Sequence, residues 1–307
     1  MISPGRLWWH FRRDLQRGWD ASYHDYRTLP RIEEWEWPFW NEPGQSIPIH
    51  ILTGEKDWRL SAWMLASWFQ FSEHSWPIII HDDGTLPAEG HAALRKLFRN
   101  ARIISRAEAD AKVCRSLLAY PFCEDYRRFH PLALKLFDPP FFTPGERYMV
   151  FDSDLLFFNH PREILDWASV ESDECWFNQD VRETSLISAR EAQEELRVKI
   201  WPRVNSGLCL MQKTAVDLDL CDRALALTSI PNGHPWRIEQ TLFMLCAAAR
   251  GKGGLLPPRY EVSLGKRASE DAVCRHYVGA VRDRFYAEGL KRLASFILPR
   301  EKATREA

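Results

Sequence analysis

From Ile47 onward, short apolar runs alternate with longer stretches in which apolar residues recur every three or four positions. Ile47-Pro-Ile-His-Ile-Leu-Thr53 predicts a strand, and residues 58–71 an amphipathic helix behind it. Pro77-Ile-Ile-Ile-His81 predicts a short buried strand ending in Asp82-Asp-Gly84, followed by a helix over 88–99 and a strand over 101–104. Such alternation predicts parallel βαβ units in a sheet covered on both faces. Residues 131–137 predict a helix leading into the long apolar run 147–158. Strands are expected around Trp176 and over 204–212, then a helix over 238–249 broken by Gly251-Lys-Gly-Gly254. A helix over 282–296 closes the pattern, and no internal repeat interrupts it. The expectation is one mixed α/β domain.

Residues 1–45 do not follow this pattern. They hold six Trp (8, 9, 19, 35, 37 and 40), alternate aromatic with charged positions and end in the turn signal Asn41-Glu-Pro-Gly44. The chain thus divides into a Trp-rich extension (1–45), a main domain (46–298) and a charged tail (299–307). Lys plus Arg number 41 against 42 Asp plus Glu, which gives no electrostatic footprint for nucleic acid. The seven cysteines are scattered without a C-x-x-C pair, which argues for a reducing compartment over a disulfide framework. No stretch approaches the roughly 20 apolar residues of a spanning helix. Trp8, Trp9 and Arg12 do not form a secretory apolar segment. A cytoplasmic chain is expected. Residues 1–19 carry four Arg and one Asp, with Leu7, Trp8 and Phe11 on one helix face. That arrangement suits packing on the main domain by the Trp residues, stacking on an acceptor sugar, or peripheral contact with the inner face of a membrane. Packing is the plainest of the three.

The chemistry starts in Arg147-Tyr-Met-Val-Phe-Asp152-Ser-Asp154-Leu-Leu-Phe-Phe158. On a continuous strand Asp152 and Asp154 project to one side. Two carboxylates at the end of a buried strand are costly unless a positive charge meets them. A divalent cation bridging to a phosphate would do so, since hard oxygen ligands suit Mg²⁺ or Mn²⁺. Alone, the pair fits a loop cap equally well.

Further motifs follow in order: Val204-Asn-Ser-Gly207, Ile238-Glu-Gln-Thr-Leu242, Leu256-Pro-Pro-Arg-Tyr260 and His276-Tyr-Val-Gly279-Ala-Val-Arg282. Together they resemble the GT-A glycosyltransferases, most of all the glycogenin-like family eight, over residues 47–284. The resemblance implies the α/β GT-A fold, a Rossmann-like mixed central sheet flanked by helices, with 46–298 as the catalytic domain. It implies Asp152, Asp154 and His276 as ligands of Mn²⁺ or Mg²⁺ on a donor diphosphate. Arg282 stands where the family has a phosphate-binding Lys, and a guanidinium can take phosphate bidentately. Asp283-Arg284 replaces the family's Pro-Trp. Asn205, Ser206 and Gly207 would line the donor sugar, with Ser153 and Gly279 also against the donor. Glu239-Gln240 falls at the family's Asp-Gln site, so Gln240 would lie beneath the anomeric carbon and Glu239 on donor hydroxyls. Thr53 and Gly54 would cradle base and ribose, with Asp82 beside them and Lys135 facing the nucleotide. Asp180 follows a strand, where it could bind hydroxyls, act as base in an inverting reaction, or simply end the strand.

The implied reaction moves a sugar from a nucleotide diphosphate donor, a UDP-sugar, to a hydroxyl of a glycan, lipid-linked or protein acceptor, with retention. Each residue also has a plain reading. His276 fits a surface loop, Arg282 a solvated first turn, Gly207 a bulge, Glu239 an exposed helix-terminal acid, and Lys135 a solvated helix face. A haloacid-dehalogenase-like phosphatase also begins with a strand and Asp-x-Asp, but Leu156 stands where it normally has Thr or Val. A nucleotidyltransferase would want a Gly-rich loop, and Thr53-Gly-Glu-Lys56 is a poor one. A non-catalytic sugar-nucleotide-binding relative would keep the binding residues without turnover.

Overall fold

The computed structural model describes residues 4–36 and 46–299, without the side chains of residues 4–7, 9 and 10. Trp37, Trp40, the turn signal at 41–44 and the tail from residue 300 lie outside the described residues, as do the side chains of Leu7 and Trp9. The described strands are β1 (Ile49–Thr53), β2 (Ile78–Asp82), β3 (Ala101–Ile104), β4 (Arg147–Phe151), β5 (Leu155–Phe157), β6 (Cys175–Gln179), β7 (Val204–Gln212), β8 (Gly253–Leu255), β9 (Tyr260–Val262) and β10 (Cys274–His276). Seven form the central sheet in the order β3-β2-β1-β4-β7-β6-β8, and β5-β10-β9 form a smaller sheet.

The first half of the central sheet is parallel, as the alternation predicts: β1 pairs β2 and β4, and β2 pairs β3. Strand β7 then runs antiparallel to both β4 and β6, which makes the sheet mixed. Side-chain alternation sends Met149 and Phe151 of β4 into one core and Tyr148 and Val150 into the other. The first core holds Trp63, Trp68 and Phe69 of the helix Trp58–Ser72; the second holds Leu242, Phe243 and Leu245 of the helix Pro235–Arg250.

The run 147–158 is not one strand. It breaks at residues 152–154, so that β4 pairs β7 in the large sheet while β5 pairs β10 in the small one. Two carboxylates and a serine occupy the break, and apolar residues on either side go to different sheets. The closing helix is likewise interrupted. A short turn at Gly279–Val281 precedes a π-helical segment Phe285–Leu290 and a helix Lys291–Ile297.

Leu29, Ile32 and Trp35 of the N-terminal segment belong to the first core. Trp63 donates its indole N–H to the Leu29 carbonyl (2.9 Å), and the Trp35 ring lies 5.3 Å from that of Phe98. On the first helix, Pro4–Arg17, Trp8 is exposed, as is Trp19 beyond it, so neither packs on the main domain. The helix docks by charge. Arg17 reaches Asp25 (2.6 Å) and Asp283 (3.0 Å), and its guanidinium lies over the Tyr286 ring. No described helix is long and apolar enough to cross a membrane.

Candidate active site

The topology brings the motifs to one edge. Parallel β1, β2 and β4 end there at Thr53, Asp82 and Phe151, and antiparallel β7 begins there. Asp180 follows the end of β6 at the same edge, because Gln179 pairs with Val204. Between the Phe177–Cys209 and Asn178–Asn205 pairs the ladder skips residues 206–208 of β7, an irregularity that matches the plain reading of Gly207 as a bulge. From the small sheet, β10 ends at His276, and the Tyr277 amide donates to the Asp154 carbonyl (2.9 Å).

His276, 6 % exposed, is a strand residue and not a surface loop. Its Nε2 lies 3.0 Å from Asp154 Oδ1 and 3.6 Å from Asp152 Oδ2. Asn205 fixes the other nitrogen. Its Nδ2 donates to Asp180 Oδ2 (3.0 Å) and its Oδ1 accepts from the Gly207 amide (3.0 Å). The same Oδ1 lies 2.8 Å from His276 Nδ1, which must therefore be the donor. Nε2 is left to face the acids, as a metal-ligating imidazole requires. Gly207 makes this approach feasible, since a Cβ there would stand 2.2 Å from Nδ1. Burial opposes the charge of Asp154, but His276 and Arg282 hold its carboxyl below the usual range. For His276, burial is outweighed by Asp154 and Asp152, which raise its pKa.

Behind Asp152 sits a buried ion network. Lys135, 3 % exposed, is not solvated: Nζ lies 2.6 Å from Asp152 Oδ1 and 3.1 Å from Glu239 Oε1. Burial alone would lower its pKa, yet the two carboxylates raise it. Glu239 is no exposed terminal acid either. It lies in the second turn of the helix Pro235–Arg250, 2 % exposed, and accepts from the Ser206 hydroxyl (3.0 Å). Burial raises its pKa to about 7, against the pull of Lys135. Gln240 is held at both ends: Oε1 accepts from the Ser206 amide (3.1 Å) and Nε2 donates to Thr184 Oγ1 (2.5 Å).

Arg282 closes the other side. It is half-buried, 2.7 Å from Asp57 Oδ1 and 3.8 Å from Asp154 Oδ2. A cleft of about 520 Å³ opens on these groups and is lined by Lys135, Asp152, Asp154, Asp180, Asn205, Ser206, Glu239, Gln240, His276, Gly279 and Arg282. Thr53, Gly54, Asp82, Ser153 and Gly207 do not line it. Thr53 is buried and accepts from the Ser61 hydroxyl (2.9 Å), while the Gly54 carbonyl takes the Asp57 amide. Asp82 caps the amides of Gly84 and Leu86. Ser153 lies in the turn between the acids. Sequence reasoning missed Asp57, Thr184, and the cleft residues Arg182 and Trp236. Asp57, four residues beyond the end of β1, carried a readable signal as a polar residue at a strand's carboxyl edge.

Asp152, Asp154 and His276 each offer one ligand atom, all within 4.8 Å of one another. Two cationic side chains, Lys135 and Arg282, face four carboxyl groups, those of Asp57, Asp152, Asp154 and Glu239. Two carboxylates and one oriented imidazole are a donor set that could hold a divalent cation.

By sequence alone, no protein family and no characterised protein matches the chain. By structure, it is similar to the galactosyltransferase LgtC solved with donor and acceptor sugar analogues. The TM-score is 0.53 at 15% identity, over 83% of this chain and 98% of that one. The fold is GT-A. A second GT-A likeness is to the bifunctional glycosyltransferase WbbM, with a TM-score of 0.50 at 12% identity over 78% of this chain. Only 47% of that protein is covered, so the chain spans about half its length. The expected architecture stands, with the GT-A sheet placing its carboxyl edge beneath the cleft.

Proposed function

We propose that this chain is a glycosyltransferase that moves a sugar from a nucleoside diphosphate donor, a UDP-sugar, to a hydroxyl acceptor. The observation that carries the reading is the meeting of Asp152, Asp154 and His276 beside a cleft at the carboxyl edge of a GT-A sheet. Asp152, Asp154 and His276 would hold Mn²⁺ or Mg²⁺, which when bound supplies Lewis-acid stabilisation of the diphosphate leaving group. Arg282 adds a fixed guanidinium on the same side, aimed at charge that builds as the glycosidic bond breaks. Lys135 holds the Asp152 carboxylate in place. Ser206 and Thr184 lock the amide of Gln240 so that its face towards the cleft is set before substrate arrives. Glu239 and Asp180 line the same wall and would contact donor or acceptor hydroxyls. The family resemblance favours retention at the anomeric carbon, while Asp180 or Glu239 would serve as the base in an inverting reaction.

The test is a panel of nucleotide sugars with Mn²⁺, scored for nucleoside diphosphate release. Release from one donor that falls at least about 100-fold in Asp154→Ala is expected. Inorganic phosphate released from phosphomonoesters instead would mark a phosphatase. Tight donor binding without turnover on any acceptor would mark a binding protein.

A further inference from the structure

The first helix, Pro4–Arg17, faces the wrong way for a helix that packs by its apolar side. At about 100° per residue, Trp8, Phe11 and Leu15 fall within an arc of roughly 60°, Arg13 and Arg17 on the opposite side, and Asp14 on the flank between them. The polar side is the one that docks. Arg13 bonds Asp14, Asp25 and Tyr26, while Arg17 is 5 % exposed between Asp25 and Asp283. The apolar side is left in solvent: Trp8 is 61 % exposed, Phe11 59 % and Leu15 74 %, and just beyond the helix Trp19 is 84 % exposed. Trp8 and Phe11 stack on each other at 5.8 Å, so the stripe is continuous. Arg12 is exposed alongside it.

Next to Trp19 lies an open depression of about 730 Å³. Lys266, Arg267, Arg284, Lys291 and Arg292 line it against only Asp20 and Glu288. Glu288 is already engaged by Tyr277 and Arg275, and Asp20 lies 3.6 Å from Lys291. Lys266, Arg267 and Arg284 are exposed and have no ion-pair partner among the described residues. The basic depression also adjoins the cleft on two segments: Leu264 and Arg282 line the cleft, and two residues on, Lys266 and Arg284 line the depression.

We propose that this face docks on the surface of an anionic lipid bilayer, with Trp8, Phe11, Leu15 and Trp19 inserted at the headgroup boundary and the basic depression over the headgroups. An inverted amphipathic helix with a tryptophan-bearing apolar stripe and adjoining uncompensated cations matches that environment on both counts. A second copy of this chain would bring the same cations against each other, whereas anionic headgroups neutralise them. Docking in this way places the mouth of the cleft beside the bilayer, where an acceptor carried on a lipid would enter.

The test is co-sedimentation of the full chain with vesicles of phosphatidylcholine alone and of phosphatidylcholine mixed with phosphatidylglycerol. Binding to the mixed vesicles only is expected. Lys266→Glu with Arg267→Glu should weaken it about tenfold or more and remove its salt dependence. Trp8→Ser with Phe11→Ser and Leu15→Ser should abolish it. Unchanged urea midpoints establish that both variants are folded; should the triple variant unfold, the charge-reversal arm decides. Failure of the wild type to sediment with mixed vesicles overturns the proposal, and so does binding indifferent to the charge reversal. A wild-type mass that doubles with concentration and returns to monomer in the triple variant would assign the stripe to a second copy. Sedimentation is read without sugar transfer, so its outcome is independent of the catalytic proposal.

Discussion

With Nδ2 on Asp180 and one lone pair of Oδ1 on the Gly207 amide, the other Oδ1 lone pair of Asn205 accepts the Nδ1 proton of His276. The chain of bonds from Asp180 through Asn205 to His276 therefore sets which imidazole nitrogen faces Asp152 and Asp154. Removing the amide would free the ring to turn and to carry its proton on the wrong nitrogen. Asn205→Ala is expected to lower Mn²⁺ affinity about 10- to 100-fold, read by electron paramagnetic resonance of free Mn²⁺ without any substrate present. An unchanged affinity would mean that Asn205 serves only the sugar side of the cleft. The acid pair and His276 were legible as residue types in order along the chain. The part played by Asn205 was not, because the resemblance assigns it to the donor sugar and no spacing reveals which atom bonds which. Lys135 shows the same limit: its apolar neighbours point it inward towards a phosphate or carboxylate, but only the packing of the helices Leu132–Phe137 and Pro235–Arg250 against each other decides that Glu239 is one of its partners.

At the level of elements, β1 and β2 were readable because each is a run of apolar residues, yet each carries a buried histidine that periodicity does not explain. His50 and His81 form a relay. The Thr143 hydroxyl donates to the Pro139 carbonyl, so it accepts from His50 Nε2 (3.0 Å). His50 Nδ1 then accepts from His81 Nε2 (2.8 Å), which keeps both rings neutral. Burial lowers the pKa of both, that of His81 to about 3 from an ordinary 6.5. As pH falls through 6.5 the unfolded chain takes up a proton that folded His81 refuses, so this group's contribution to stability is present above that pH and lost below it. Against the variant His81→Gln, wild-type stability should fall by about 2 kcal/mol between pH 7 and pH 5, measured by urea unfolding at each pH. A pH-independent difference would show that His81 accepts the proton in the fold. Other elements escaped the pattern for physical reasons. Three-residue strands such as β8, β9 and β10 are too short to show alternation. The helix Arg106–Leu117 was missed although a signal was there: Ser105 caps it by accepting from the Glu108 amide, a serine-to-glutamate spacing visible in the sequence.

On the scale of the whole molecule, the segment around Arg17–Thr28 meets the closing helical segment around Asp283–Ile297. The composition of residues 1–45 suggests an appendage, but the structure treats its two parts differently. Among the described side chains, residues 4–17 reach the rest through ion pairs of Arg13 with Asp25 and of Arg17 with Asp25 and Asp283, contacts worth about 1 kcal/mol or less each where the carboxylates can return to water. Leu29, Ile32 and Trp35 instead complete the core over Trp63, Phe69 and Phe98. Burying three such side chains stabilises by roughly 5–9 kcal/mol, most of the typical total for a domain. Composition could not separate these parts, because tryptophans occur in both and only their partners differ. A chain beginning at Trp19 should therefore keep a cooperative urea transition with a midpoint close to the full chain, while losing vesicle binding. A chain beginning at Ser46 should unfold at far lower urea or fail to show a cooperative transition. If the chain from Ser46 melts like the full one, the sheet and its flanking helices are self-sufficient. The segment carrying Leu29, Ile32 and Trp35 would then be a cover over a core that closes without it.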